Sequence, residues 1–176
     1  MKRKYLNILI LLVYISCEDN ADSEKNCNLY EDRGSLVSAK RTFQYSKESI
    51  ASLAKTFYGI DESSLNIENG IDVYSVVYKS IGPDDKSVEL SGAIYVPVLD
   101  DGKAIPTLSI GHYTNTEQYN VPSVSPTTGP QGILGSMQGY FSIYADGYGF
   151  GVSDTQPSFV NKKVSAETRI DLLKAS

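Results

Sequence analysis

The chain has 176 residues, 41% of them hydrophobic and 21% charged, with a formal net charge of −5. That length allows one ordinary domain, and the composition is that of a globular chain rather than a disordered one. The acidic balance argues against nucleic acid as a partner and against a polybasic patch for an anionic membrane surface.

In chain order, Lys2-Arg3-Lys4 forms a basic start, and Tyr5–Ile15 is apolar apart from Asn7. This is the layout of a secretory signal. The apolar run is shorter than the ~20 residues a membrane-spanning helix needs. Its end, Ser16-Cys17, resembles a bacterial lipobox, with Tyr14 where that motif usually carries Leu. The resemblance implies residues 1–16 as a signal peptide, acyl chains on Cys17 and a membrane-anchored, exported lipoprotein. An ordinary secretory signal with an incidental cysteine is the alternative. Removing residues 1–16 takes Lys2, Arg3 and Lys4 and no acidic residue, so the net charge moves from −5 to −8. Glu18–Arg33 is polar and acidic, and residues 17–45 read as a lipid-anchored flexible linker ahead of a domain at 46–176. With Cys17 acylated, Cys27 has no partner for an internal disulfide.

Ile50, Leu53, Ala54 and Phe57 recur at helical spacing and predict a helix over Ser46–Tyr58, capped by Ser46 and stopped by Gly59. Ile71–Ser80 and Ser87–Val98 flank the turn signal Gly82-Pro83-Asp84-Asp85 and predict a β-hairpin. Asp100-Asp101-Gly102 predicts a second turn, and Ala104–Gly111 a short apolar strand with Pro106 near its start. Tyr113–Pro130 is a long loop, and ordering so long a loop suggests a use for it. Gln131–Gln138 predicts a short helix with Ile133, Leu134 and Met137 inward. Tyr140–Tyr144 is a buried strand running into Gly147, Gly149 and Gly151. Ser165–Lys174 predicts a helix with Ser165 as cap and Ala166, Ile170 and Leu173 on one face. Strand, glycine turn and helix together are the unit of a parallel α/β sheet, with chemistry at the strands' carboxyl ends.

Four segments carry a resemblance to the N-terminal half of the α/β-hydrolase fold, in its secreted lipase and esterase-like branch. They are Leu90–Pro97 (LSGAIYVP), Ile110–Thr114 (IGHYT), Tyr144–Ser153 (YADGYGFGVS) and Arg169–Ala175 (RIDLLKA). The resemblance implies an N-terminal β-hairpin followed by βαβα units of an incomplete hydrolase sheet, and a serine hydrolase acting on an ester, lipid or amide. It places His112, Tyr113 and Thr114 in the oxyanion loop. Asp146, Gly149, Gly151 and Ser153 fall in a structural turn motif. Tyr113 stands where the family has Gly, Ala145 and Gly147 replace a Pro and a Tyr of the turn, and Gln156-Pro157-Ser158 replaces His-Pro-Tyr. The implied sheet order leaves Ala104–Gly111 with an open edge.

The family's chemistry uses a Ser on a G-x-S-x-G elbow, then an acid, then a His. No G-x-S-x-G occurs here, and Gly151–Thr155 is a near miss within the turn motif. His112, the one histidine, precedes any candidate serine, so no catalytic residue is assigned within the chain. One His and two Cys give no zinc set, and no phosphate-loop or dinucleotide glycine pattern is present, so no metal or cofactor is expected. Two readings remain. One is part of an exported, lipid-anchored serine hydrolase whose substrate is a small ester or peptide-like molecule. The other is a non-catalytic surface lipoprotein, a hydrolase-like module that binds glycan or protein through Tyr113–Pro130.

Overall fold

The computed structural model describes residues 32–176 except 100, 101, 103, 112 and 160. The signal sequence, Cys17, Cys27, most of the linker, Asp100-Asp101 and His112 lie outside the described residues. The centre of the sheet is the predicted hairpin. β2 (Gly70–Ile81) and β3 (Ser87–Val98) pair in register over their full twelve residues. Their turn is closed by Gly82 N–H donating to Lys86 O at 2.8 Å and Asp85 N–H to Gly82 O at 3.1 Å. Asp85 takes φ 58°, a left-handed conformation its short polar side chain tolerates.

β1 (Leu36–Tyr45) runs antiparallel to β2, and β5 (Phe141–Ala145) antiparallel to β3. β4 (Thr107–Ile110) pairs parallel to β5, giving the order β1-β2-β3-β5-β4. This is a mixed α/β sheet in which β4 is the outermost strand on its side among the described residues. The linker boundary needs correction: residues 36–45 belong to the sheet. β1 escapes recognition because nearly all its residues are exposed, so no alternation of apolar and polar marks it. β4 is also shorter than Ala104–Gly111. Pro106 has no N–H to give to a ladder, and the strand begins just after it.

Alternation sorts the core into two faces. Ile71, Val73, Ala93, Tyr95, Ile110 and Tyr144 point to one side, under α1 (Lys47–Tyr58) and α2 (Pro130–Met137). Val76, Tyr78, Leu90, Ile94 and Ile143 point to the other, under α3 (Lys162–Ala175). Ser46 caps α1 by accepting the Ser49 N–H at 3.2 Å, and Gly59 ends it at φ 65°. Ile50 and Ala54 are buried as predicted, whereas Phe57 and, on α2, Leu134 stay largely exposed.

α3 begins three residues before its predicted start. Asn161, not Ser165, is the cap, its Oδ1 accepting the Val164 N–H at 3.2 Å. The face shared by Ala166, Ile170 and Leu173 is turned outward. Val164, Thr168, Asp171 and Leu172 are buried, while Ala166, Ile170 and Leu173 are exposed. The cause is a polar network. Asp171, fully buried, accepts from Arg33 Nε at 3.0 and 3.1 Å and from the Ser80 hydroxyl at 2.7 Å. Tyr78 donates its hydroxyl to Thr168 O at 3.0 Å, and burial raises the Tyr78 pKa well above its ordinary value. Among the described residues no helix is long and apolar enough to cross a membrane.

Candidate active site

Because β4 and β5 are parallel, the segments that follow them leave the sheet at the same end. Gly111, Tyr113 and Thr114 follow β4, and Asp146–Ser153 follows β5. Between them and the first turns of α3 lies a cleft of about 190 Å3, lined also by Tyr148, Phe159, Ser165 and Arg169. The structure therefore brings Tyr113 and Thr114 of the segment after β4 to the same cleft as Gly147, Tyr148 and Phe150 of the glycine turn. Tyr113 is about half exposed at its mouth.

The glycine turn beside the cleft is built on a buried carboxylate. Asp146 is 0% exposed; its Oδ2 accepts the Ser91 hydroxyl at 2.6 Å and its Oδ1 the Ser123 N–H at 3.2 Å. The Ser91 oxygen in turn accepts the Val152 N–H at 3.1 Å. Gly151 passes so close that a Cβ there would meet Ser91 Oγ and Asp146 Oδ2. Gly149, at φ 85°, packs on the backbone of Pro157 with the same lack of room. Ser153 is buried, accepts the Gly149 N–H at 3.2 Å and shares a 2.8 Å hydrogen bond with Thr155. A side chain held in this way is a turn brace and is not presented to a substrate.

The long loop is tied to this turn rather than hanging free. Gln118 O accepts the Gly151 N–H at 2.9 Å, and Gln118 Nε2 donates to Ser153 O at 2.6 Å. Ser123 adds the Asp146 bond, and Tyr95 donates its hydroxyl to Pro126 O at 2.9 Å. Tyr144 lies buried beneath; burial, then the neighbouring Tyr113 and Asp146, push its pKa to about 12. It is neutral at any physiological pH and supplies no base.

Arg169 is the cleft's cationic side chain among the described residues lining it. Its Nε donates to Ser165 O at 3.0 Å, and a Cβ on Gly111 would stand 2.9 Å from its Nη1. Gly111 thus leaves space for the guanidinium beside the loop that follows β4. Sequence reasoning singled out neither Arg169 nor Gln118. Arg169 sat inside a recognised motif, but Gln118 had no signal at all.

No protein-family model and no curated protein sequence matches the chain. Solved structures do. A candidate hydrolase from Legionella pneumophila superposes with a TM-score of 0.70 at 24% identity, over 80% of this chain and 38% of that one. The rice cell wall degrading esterase LipA from Xanthomonas oryzae superposes with a TM-score of 0.67 at 20% identity, over 81% of this chain and 36% of that one. Its ligand-bound form gives 0.68 at 17% identity. The chain therefore has a hydrolase-like α/β fold, and it spans less than two fifths of the length of these structures.

Proposed function

We propose that this stretch serves an exported, lipid-anchored serine hydrolase acting on a small ester, supplying the oxyanion loop and one wall of the substrate cleft. The observation that supports this most directly is the convergence of Gly111, Tyr113 and Thr114 with Gly147, Tyr148 and Phe150 on one cleft at the carboxyl ends of parallel β4 and β5. Acyl transfer needs donors fixed where charge develops on the carbonyl oxygen, and a loop braced from below is suited to hold them. The nucleophile, its acid and its base are assigned to residues other than these 176, since Ser153 is committed to the turn. Cys17 carries the anchoring acyl chains in this reading, and membrane association comes from them rather than from charge.

The test is fluorophosphonate labelling and short-chain p-nitrophenyl ester hydrolysis by the native protein extracted from membranes. The expected result is ester turnover with label on a serine outside residues 1–176. A folded native protein that neither turns over ester nor takes label would overturn the reading and favour the non-catalytic binding module. Label on Ser153 would overturn the assignment of that residue to the turn.

A further inference from the structure

The groove between α1 and α2 lies on the sheet face opposite α3, away from the cleft. Its volume is about 400 Å3. Leu53, Phe57, Ile60 and Leu65 form one wall, and Ile133 and Leu134 the other. Phe57 is 64% and Leu134 43% exposed, so large apolar side chains are gathered in a concavity rather than scattered. Among the described residues lining it, none is charged; Thr127 and Gln131 are the neutral polar groups at its edge, with the Tyr58 hydroxyl.

We infer that this groove binds one unbranched, uncharged alkyl chain, taken as a monomer from solution. Its volume falls in the range of small-molecule pockets, about 300–1,000 Å3. A stable protein partner needs roughly 800 Å2 per side and about 20–30 residues, and thirteen residues line this groove. Docking on a bilayer favours an exposed apolar face flanked by Lys and Arg. Here the surface is concave, its lining has no cation and the chain carries a net −5. The same lack of cations selects the head group, because a carboxylate drawn into the groove would lose water without gaining a counter-charge. The lining is mainly aliphatic, with few fixed donors or acceptors to orient a polar ligand, so chain length rather than shape sets affinity. The inference is independent of the proposed hydrolase chemistry.

The experiment is a titration of the full chain with 1-alkanols from butanol to decanol, by calorimetry and by methyl NMR of Ile50, Leu53 and Leu134. Affinity is expected to rise about fourfold per added methylene until the groove is filled. Decanoate is expected to bind at least tenfold more weakly than decanol. Leu53→Trp and Leu134→Trp, each filling the groove from one wall, are expected to lower decanol affinity at least tenfold with an unchanged melting temperature. Chain-length-independent binding, equal affinity for decanoate, or unchanged affinity in both folded variants would overturn the inference. Tight association with phosphatidylcholine vesicles without saturable decanol binding would also overturn it, in favour of a bilayer. If both variants fail to fold, the alkanol series and the decanoate comparison still decide.

Discussion

The two faces of the sheet are held down in different ways. Under α1 and α2 the contact is mainly apolar: Ile50, Ile133 and Met137 close over Ile71, Val73 and Tyr95, and the buried polar groups there, Ser136 and the Tyr95 hydroxyl, are uncharged and bonded to backbone carbonyls. Under α3 an apolar patch around Leu172 is joined to a buried polar set in which Asp171 faces Arg33 and Ser80, and Tyr78 reaches the Thr168 carbonyl. On the mainly apolar face a small deletion costs in proportion to the surface and packing it removes, because burial is non-directional and no charge is left behind. The polar face differs. A desolvated carboxylate is stable only while its donors stay in place, so losing one partner costs more than losing a methyl group.

That contrast can be broken experimentally. Asp171→Ala removes the carboxylate facing a guanidinium that is itself only 12% exposed, and is expected to cost about 3–5 kcal/mol in urea unfolding. A loss no greater than a surface substitution would mean the network contributes nothing. On the apolar face, Ile71→Val deletes one methylene from a fully buried side chain and is expected to cost about 0.5–1.5 kcal/mol. The smallest effect sharpens the orientation of α3. In the 176-residue chain, Ile170→Ser is expected to shift stability by less than about 0.5 kcal/mol, because Ile170 is half exposed. A multi-kcal loss there would return the helix to the orientation its apolar residues alone suggest.

The elements read correctly from sequence are those governed by local rules. The β2–β3 hairpin announces itself through Gly82–Asp85, and α1 through Ser46 and Gly59. The glycine turn was legible because three closely spaced glycines mark backbone with no Cβ to strain, and it takes φ 94°, 85° and 61° at 147, 149 and 151. What was not legible depends on partners far along the chain. α3 turns Asp171 inward because Arg33 and Ser80 lie 138 and 91 residues away, and no window of a helix's own length contains them. β1 is a strand because β2 offers it an edge, not because of its own pattern. At the cleft, Tyr113, Thr114 and part of the turn belong to segments that the sequence motifs mark. Gln118 and Ser123 are ordinary polar loop residues whose bonds exist only after the loop has folded back over Asp146.

The Arg33–Asp171 pair also sets a timetable. Its two members are separated by 138 residues. At the ribosome's pace of about 5–20 residues per second, the arginine emerges roughly 7–28 s before its counter-ion. The β2–β3 hairpin, whose contacts are local, can form within microseconds of leaving the tunnel. Until α3 has been made, then, the nascent chain carries a ready-made central ribbon with one face still uncovered. The α3 side can be sealed only once α3 has been made and reaches back to Arg33, ahead of β1.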